Sequence, residues 1–280
     1  MSGDIPHIVT DSTADIPTEL ARCLDIAVVP CQIHFGDQTY RDGVDITRQE
    51  LYRRQRNAEH YTTSQPPVGV FAETYRRLLA DGRPILSIHL ASQLSTVYNA
   101  ARLAAQEVDA ERITVIDSRQ VSMCIGWLAI RAAEMARNGR WVQEILREIR
   151  QRIPRLRLYA VIDDLHYLRR SGRVSWVSSL LGNLFAIKPI VLVEQGEVRL
   201  VEKVRSLARG RERLAALVAS LGPAERIAVM HADAPEAAEK LAEEMARWFP
   251  HEKLLIGEAG VTVGAHAGPG AVGVAILLAG

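Results

Sequence analysis

The chain has 280 residues, with 34 lysines and arginines against 33 aspartates and glutamates, and 5% of its residues are aromatic. A net charge of +1 offers no electrostatic basis for binding nucleic acid, and the few aromatic side chains argue against a base-stacking surface. The 3 cysteines show no metal-site spacing and indicate reduced thiols in a cytoplasmic protein. No apolar run reaches the ~20 residues of a membrane span, so we expect no stable membrane insertion.

The first half of the chain alternates between short apolar runs and segments of helical periodicity. Strands are predicted over residues 7–10, 26–29, 31–35, 85–90 and 113–116, with a hairpin at Gly36-Asp37 leading into residues 38–40. Helices are predicted over residues 15–23, 47–57, 68–79, 97–108, 122–138 and 142–152. Residues 61–67 are predicted to form a loop, because Pro66 and Pro67 cannot lie inside a helix. The alternation indicates a mainly parallel sheet that is covered on both faces.

Pro154 marks the change to a different pattern, and we place a domain boundary there, giving domains of residues 1–154 and 155–280. Strands are predicted over residues 158–162, 188–193, 198–204, 227–232, 254–257 and 272–278. Helices are predicted over residues 164–170, 211–221 and 235–248. The hairpin over Gln195-Gly196 indicates a partly antiparallel sheet in an α/β or α+β domain.

A loop of neutral polar residues lies between the strand at 85–90 and the helix that follows it. It carries Ser92, Gln93, Ser95 and Thr96. A helix start gathers unpaired N–H groups and the positive end of the helix dipole, which together suit an anion. The same hydroxyls also suit an ordinary helix N-cap, and the sequence leaves both roles open. Ligands of such sheets bind at the carboxyl ends of the strands, where this loop is expected.

Catalysis is the alternative that the residues allow. Ser95, His266 and Asp11 could converge as a triad, which would make the protein a hydrolase or transferase for a small anionic substrate. No G-x-S-x-G elbow is present, and the histidines lack the paired spacing of a metal site. Several glycines surround His266, and they permit close approach of the backbone to a ligand or to a neighbouring strand.

Five short motifs, in order along the sequence, resemble those of the DegV family of bacterial fatty-acid-binding proteins. They are Val9 to Pro17, Thr63 to Pro66, Ser92 to Tyr98, Tyr167 to Val174, and His266 to Gly270. Together they extend over essentially the whole chain. Two positions depart from the family pattern: Thr96 replaces a usual glycine, and Ser171 replaces the first glycine of a Gly-Gly-Arg motif.

The resemblance implies an N-terminal three-layer α/β/α domain and a smaller α/β domain, with a long-chain, palmitate-like fatty acid between them. It implies that Thr63 and Ser95 hold the carboxylate and that His266 lies nearby. The protein would serve lipid transport or fatty acid metabolism and would present the acid to a separate fatty acid kinase. The resemblance implies neither catalysis by this chain nor a cofactor other than the bound acid.

Further residues complete the predicted site. Ser64 and Thr96 neighbour the two carboxylate ligands, and Arg173 is expected at the pocket mouth, with Arg205 as a second arginine there. The forked donors of arginine suit a phosphate or the carboxylates of a partner. The apolar segment 176–185 is predicted to be either a lid or part of the second core.

Overall fold

The computed structural model describes residues 5–170, 187–250 and 254–280. The strands are β1 His7–Asp11, β2 Ile26–Val29, β3 Gln32–Phe35, β4 Gln38–Arg41, β5 Thr62–Ser64, β6 Ile85–His89, β7 Ile113–Asp117, β8 Leu156–Val161, β9 Lys188–Glu194, β10 Glu197–Val204, β11 Ala224–His231, β12 Leu254–Glu258 and β13 Val272–Leu278. The helices are α1 Thr18–Cys23, α2 Arg48–Arg56, α3 Val68–Leu78, α4 Val97–Val108, α5 Met123–Arg137, α6 Val142–Arg152, α7 Leu165–Arg170, α8 Leu207–Ala219, α9 Pro235–Met245 and α10 Val261–Ala267. No helix within these ranges is long and apolar enough to cross a membrane.

The first sheet is parallel and has the strand order β2-β1-β6-β7, which confirms the prediction for the first half. All residues of β6 are buried, as expected for an inner strand with helices on both faces. Helices α3 and α4 pack on each other and on this sheet. Helix α4 turns mainly alanines inward, namely Ala100, Ala101, Ala104 and Ala105, and such small side chains allow close packing.

The second sheet has the order β10-β9-β8-β13-β11-β12 and is mixed, since only β11 and β12 pair in parallel. This confirms the predicted mixed sheet and the β9–β10 hairpin. Helix α8 begins at Leu207, four residues before the predicted start. The Ser206 hydroxyl accepts a 3.2 Å hydrogen bond from the Arg209 N–H and so caps the helix there.

Helix α5 connects the two large sheets. Most of its residues are buried, because it packs against β1 and β6 on one side and against β8 and β13 on the other. A continuous hydrophobic core joins Ile8 of the first sheet to Ala275 of the second. The strands of the first sheet precede residue 154 and those of the second follow it.

A third, small sheet has the order β4-β3-β5 and corrects one prediction. Residues 61–67 were expected to be a loop, but Thr62–Ser64 form β5, which pairs antiparallel with β3 and places Thr63 opposite Ile33. Threonine suits a strand, and the restriction imposed by Pro66 and Pro67 begins only after it. The proline pair instead precedes α3, whose N-cap residue is Pro67.

Candidate functional site

A cavity lies where the two large sheets face each other. One wall is formed by the loops that follow β1, β6 and β7, at the carboxyl edge of the parallel sheet where the sequence predicted a ligand. The opposite wall is one face of β8, β9, β11 and β13, and β5 and α10 close one side. The cavity leaves about 190 Å³ for the centre of a water-sized sphere.

The cavity wall is mostly aliphatic. Its apolar residues include Leu90, Leu94, Val121, Leu158, Ala160, Ile162, Leu168, Val191, Val193, Val198, Met230 and Val272. Among the described lining residues there is no aspartate, glutamate, lysine or arginine, and the polar groups are hydroxyls, one thiol, one amide and two imidazoles. An apolar wall with a few convergent polar groups is typical of a site for a small amphipathic ligand.

Thr63 and His266 meet on the side of the cavity that β5 and α10 close. Strand β5 brings Thr63 into the cavity and α10 brings His266, so that Thr63 Oγ1 lies 2.9 Å from His266 Nε2. Both side chains are half-buried. When the imidazole nitrogen donates this hydrogen bond, the Thr63 hydroxyl proton becomes available to a ligand oxygen.

Two carboxylates of the first half hold α10 in place. Asp42 accepts hydrogen bonds from the Val261 N–H and the Thr262 N–H, each at 3.0 Å. Asp15 accepts a bond from the Gly260 N–H at 2.8 Å. Negative groups stabilise the N-terminus of a helix, and here they satisfy N–H groups that have no partner within the helix. The position of His266 therefore depends on residues far away in sequence.

Asp15 is fully buried between these elements. Burial raises the pKa of its carboxyl to about 7, although the hydrogen bonds from Ser122 and Gly260 oppose the rise. The Ser122 Oγ donates to Asp15 Oδ2 at 2.5 Å. Asp15 thus connects the residue that precedes α5 with the residue that precedes α10.

The loop before α4 contains the second predicted ligand, Ser95. Thr96 occupies the N-cap position of α4 without forming a side-chain cap bond, and its hydroxyl instead donates to Gln65 Oε1 at 2.9 Å. Ser95 Oγ accepts only a long, 3.4 Å bond from the Val97 N–H, and no acceptor for its proton lies in the described part of the chain. Ser95 is thus at most a weak N-cap of α4, the role that the sequence left open. Its side chain lines the cavity, and its hydroxyl donates no hydrogen bond to the described residues.

Thr96 and Ser64 also line the cavity, but both have protein partners. Thr96 is exposed, and its bond to Gln65 ties the α4 loop to the end of β5. Ser64 Oγ lies 2.8 Å from His34 Nε2 and 3.3 Å from Gln32 Oε1. Thr96, which replaces the usual glycine of the family motif, therefore links the loop before α4 to the loop after β5 at the edge of the site.

The alternative triad does not assemble. Asp11 is fully buried and its Oδ2 lies 2.8 Å from His89 Nδ1, while Thr13 and the Leu90 N–H also bond to this carboxylate. His266 Nε2 is bonded to Thr63 and not to Ser95. The enzyme interpretation with Ser95 as nucleophile and His266 as base gains no support from this arrangement.

The arginines are placed less directly. Arg205 is exposed and directly follows β10. The last residue of β10, Val204, pairs with Lys188 of β9. Lys188 in turn donates a hydrogen bond to the backbone carbonyl of Asp163, which is next to the cavity residue Ile162. Arg205 itself does not line the cavity. Arg173, Ser171 and the predicted lid at 176–185 lie outside the described residues.

The glycines near His266 make room for side chains of the protein. Residues 261–267 form α10, a helix that was not predicted from the sequence. A Cβ on Gly264 would meet the hydroxyl of Tyr52, and one on Gly268 would meet the ring of Tyr167. Gly268 also has a φ of +75°, which favours glycine.

Several cavity residues were not predicted from the sequence. Thr13, Cys31, Ser122, His231 and Thr262 all line the cavity. Thr262 stands four residues before His266, a spacing that places two residues on one helical face, but the helix itself was not predicted. Among the described residues, no group of histidine, cysteine, aspartate and glutamate side chains has the arrangement of a metal site.

Comparison with known proteins agrees with the fold. The family model described as "Uncharacterised protein, DegV family" matches residues 6–279. A DegV domain-containing protein of Caldanaerobacter subterraneus is 36% identical over 270 residues, covering 95% of this chain and 96% of the relative.

Two solved structures are similar over almost their full length. The first is a DegV family protein of Thermus thermophilus, described for its fatty acid binding, with a TM-score of 0.90, 31% identity and coverage of 98% of this chain and 99% of that one. The second is DegV of Bacillus subtilis, a fatty acid binding protein, with a TM-score of 0.87, 32% identity and the same coverage. On its sequence and its two-domain fold, this chain belongs to the DegV family.

Proposed function

We propose that this protein binds a long-chain fatty acid of the palmitate type in the cavity between residues 1–154 and 155–280. The carboxylate accepts hydrogen bonds from the hydroxyls of Thr63 and Ser95, and His266 hydrogen-bonds to the Thr63 hydroxyl. The observation that carries the proposal is the aliphatic cavity whose described lining has neutral polar groups and no charged side chain. The two similar solved structures, both of fatty acid binding proteins, support the same ligand class.

Neutral hydroxyls can hold a carboxylate without a buried counter-charge, which avoids the desolvation cost of an ion pair. A hydrogen bond to the charged oxygen contributes about 1.5–3 kcal/mol. Because His266 Nε2 lies 2.9 Å from Thr63 Oγ1, the imidazole can donate to the hydroxyl while the hydroxyl donates to the carboxylate. In two such consecutive hydrogen bonds, each bond polarises the other and strengthens it.

The aliphatic wall supplies most of the affinity. Burial of each methylene contributes about 0.8 kcal/mol, so the affinity should increase with chain length until the cavity is full. The hydroxyls then determine which end of the acid lies near β5 and α4. Ser64 and Thr96 remain at the edge of this site through their bonds to His34 and Gln65.

We propose further that the protein is a carrier, not an enzyme, and that it presents the acid to a fatty acid kinase in the cytoplasm. Thr63, Ser64 and Ser95 are only half-buried, so the carboxylate would lie near the surface. Arg205 and, by its sequence motif, Arg173 are proposed to serve the kinase or the acyl phosphate at the mouth. A rim arginine affects the rate of association more than it affects the buried contacts.

The fatty acid can be tested directly. The purified protein is denatured and extracted with organic solvent, and the extract is analysed by mass spectrometry. We expect about one long-chain fatty acid per chain, and an Arg205→Ala variant should carry the same amount. A protein that stays empty after incubation with fatty acids of ten to eighteen carbons would contradict the proposal.

A further inference from the structure

The cavity contains a second group of polar side chains, apart from the proposed carboxylate ligands. It consists of Thr13, Cys31, Ser122 and Thr262, all of which line the cavity. Buried polar groups normally have hydrogen-bond partners, so each member of this inner polar group should be accounted for.

Three members are accounted for by the protein itself. Thr13 Oγ1 donates to Asp11, and Ser122 Oγ donates to Asp15. Burial raises the pKa of the Cys31 thiol well above its usual value, so Cys31 is a neutral group that hydrogen-bonds weakly. None of these three side chains requires anything from a ligand.

Thr262 is different. Only 7% of the residue is exposed, and its Oγ1 forms no hydrogen bond with an oxygen or nitrogen atom of the described residues. The one polar group that its hydroxyl reaches among the described residues is the Cys31 thiol, whose pKa it lowers against the larger effect of burial, and sulfur is a weak hydrogen-bond partner. The backbone N–H of Thr262 is already bonded to Asp42. A threonine inside a helix often bonds to the carbonyl four residues earlier, but Thr262 is in the first turn of α10 and residue 258 lies outside the helix.

The position of Thr262 relates it to the carboxylate site. Thr262 and His266 are four residues apart on α10 and both line the cavity, so their Cβ atoms are about 5–6 Å apart. With C–C bonds of about 1.5 Å, an extended acyl chain covers this distance in about four or five carbons. An oxygen atom on the chain at about that separation from the carboxylate would reach Thr262 Oγ1.

We propose that the cavity prefers long-chain fatty acids with a hydroxyl group on one of the carbons near the carboxylate, and that Thr262 recognises this hydroxyl. The inference rests on the proposed function, since it assumes that the carboxylate lies at Thr63 and Ser95. A plain acyl chain covers Thr262 and leaves its hydroxyl with only the weakly bonding Cys31 thiol, whereas a hydroxy acid can both donate to it and accept from it. A site built to bond a hydroxyl discriminates against the ligand that lacks one.

The test compares hexadecanoic acid with its hydroxylated isomers. Delipidated protein is titrated with the plain acid, with isomers hydroxylated at the third, fourth, fifth or sixth carbon, and with a control isomer hydroxylated next to the terminal methyl group. At least one of the four near isomers should bind about fivefold more tightly than the plain acid, which corresponds to one neutral hydrogen bond. The control isomer should bind more weakly than the plain acid, because its hydroxyl enters the aliphatic part of the cavity.

Variants of Thr262 assign the effect. Thr262→Val keeps the shape and should remove the preference while leaving the affinity for the plain acid unchanged or higher; Thr262→Ser keeps the hydroxyl and should retain the preference. If the plain acid binds and no isomer binds more tightly, or if the valine variant keeps the preference, the inference about Thr262 is wrong and the proposed function stands. If none of the acids binds, the proposed function fails as well.

Discussion

Two serines of the same loop should differ sharply when each is replaced by alanine. Ser95 lines the cavity, and its proton has no acceptor among the described residues. Ser92 Oγ instead donates to Asp117 Oδ2 at 2.6 Å and does not line the cavity. Ser95→Ala removes one charge-assisted bond of about 1.5–3 kcal/mol, so the dissociation constant for palmitate should rise roughly 10- to 100-fold.

Ser92→Ala is the matched control, and its effect should fall on stability. Its hydroxyl bonds to a half-buried carboxylate, so the loss should cost about 1–2 kcal/mol and lower the melting temperature by a few degrees. Calorimetric titration with palmitate measures the affinity, and thermal unfolding of the lipid-free protein measures the stability. Equal affinities of the two variants, or a loss confined to Ser92→Ala, would refute the assignment of Ser95.

Further changes test other parts of the site. Thr63→Val keeps the side-chain shape but removes the hydroxyl bonded to His266, so palmitate affinity measured by titration should fall about tenfold or more; unchanged affinity would exclude Thr63 as a ligand. The pKa of Asp15 is raised by burial to about 7. Between about pH 4 and pH 7, Asp15 is therefore protonated in the folded protein but ionised in the unfolded chain. This difference makes the folded protein more stable as the pH falls through that range. Urea unfolding at several pH values should show this trend, and Asp15→Asn should flatten it; an unchanged slope would contradict the shift. Gly264→Ala should lower the melting temperature, because its methyl group meets the Tyr52 hydroxyl, whereas Gly69→Ala on α3 has open space and should be neutral or stabilising.

The sequence predicted the large elements well because their signals are local. The run Ile85–His89 is apolar at every position but two and becomes a fully buried strand. Thr47, where the second helix was predicted to start, caps α2 by accepting a hydrogen bond from the Glu50 N–H. The parallel first sheet was predicted from the alternation of such runs with helical segments, and the mixed second sheet from the hairpin over Gln195-Gly196. The family motifs also pointed to the residues that meet in the cavity, Thr63 and His266.

The missed features depend on contacts that are distant in sequence. Strand β5 exists because Thr62–Ser64 pair with β3, and nothing in residues 61–67 shows that partner. Helix α10 contains Gly264 and is flanked by Gly260 and Gly268, which locally favour turns. It forms where Asp15 and Asp42 meet its first N–H groups. Thr262 and Cys31 could be recognised as cavity residues only once that helix was placed.

The most direct test of the account is a crystal structure of the protein with palmitate bound. We predict one carboxylate oxygen within about 3 Å of Ser95 Oγ and the same or the other oxygen within about 3 Å of Thr63 Oγ1, with the acyl chain along Leu158 and Val193. A palmitate bound in the opposite direction, with its carboxylate away from both hydroxyls, or one bound outside the cavity would contradict the account.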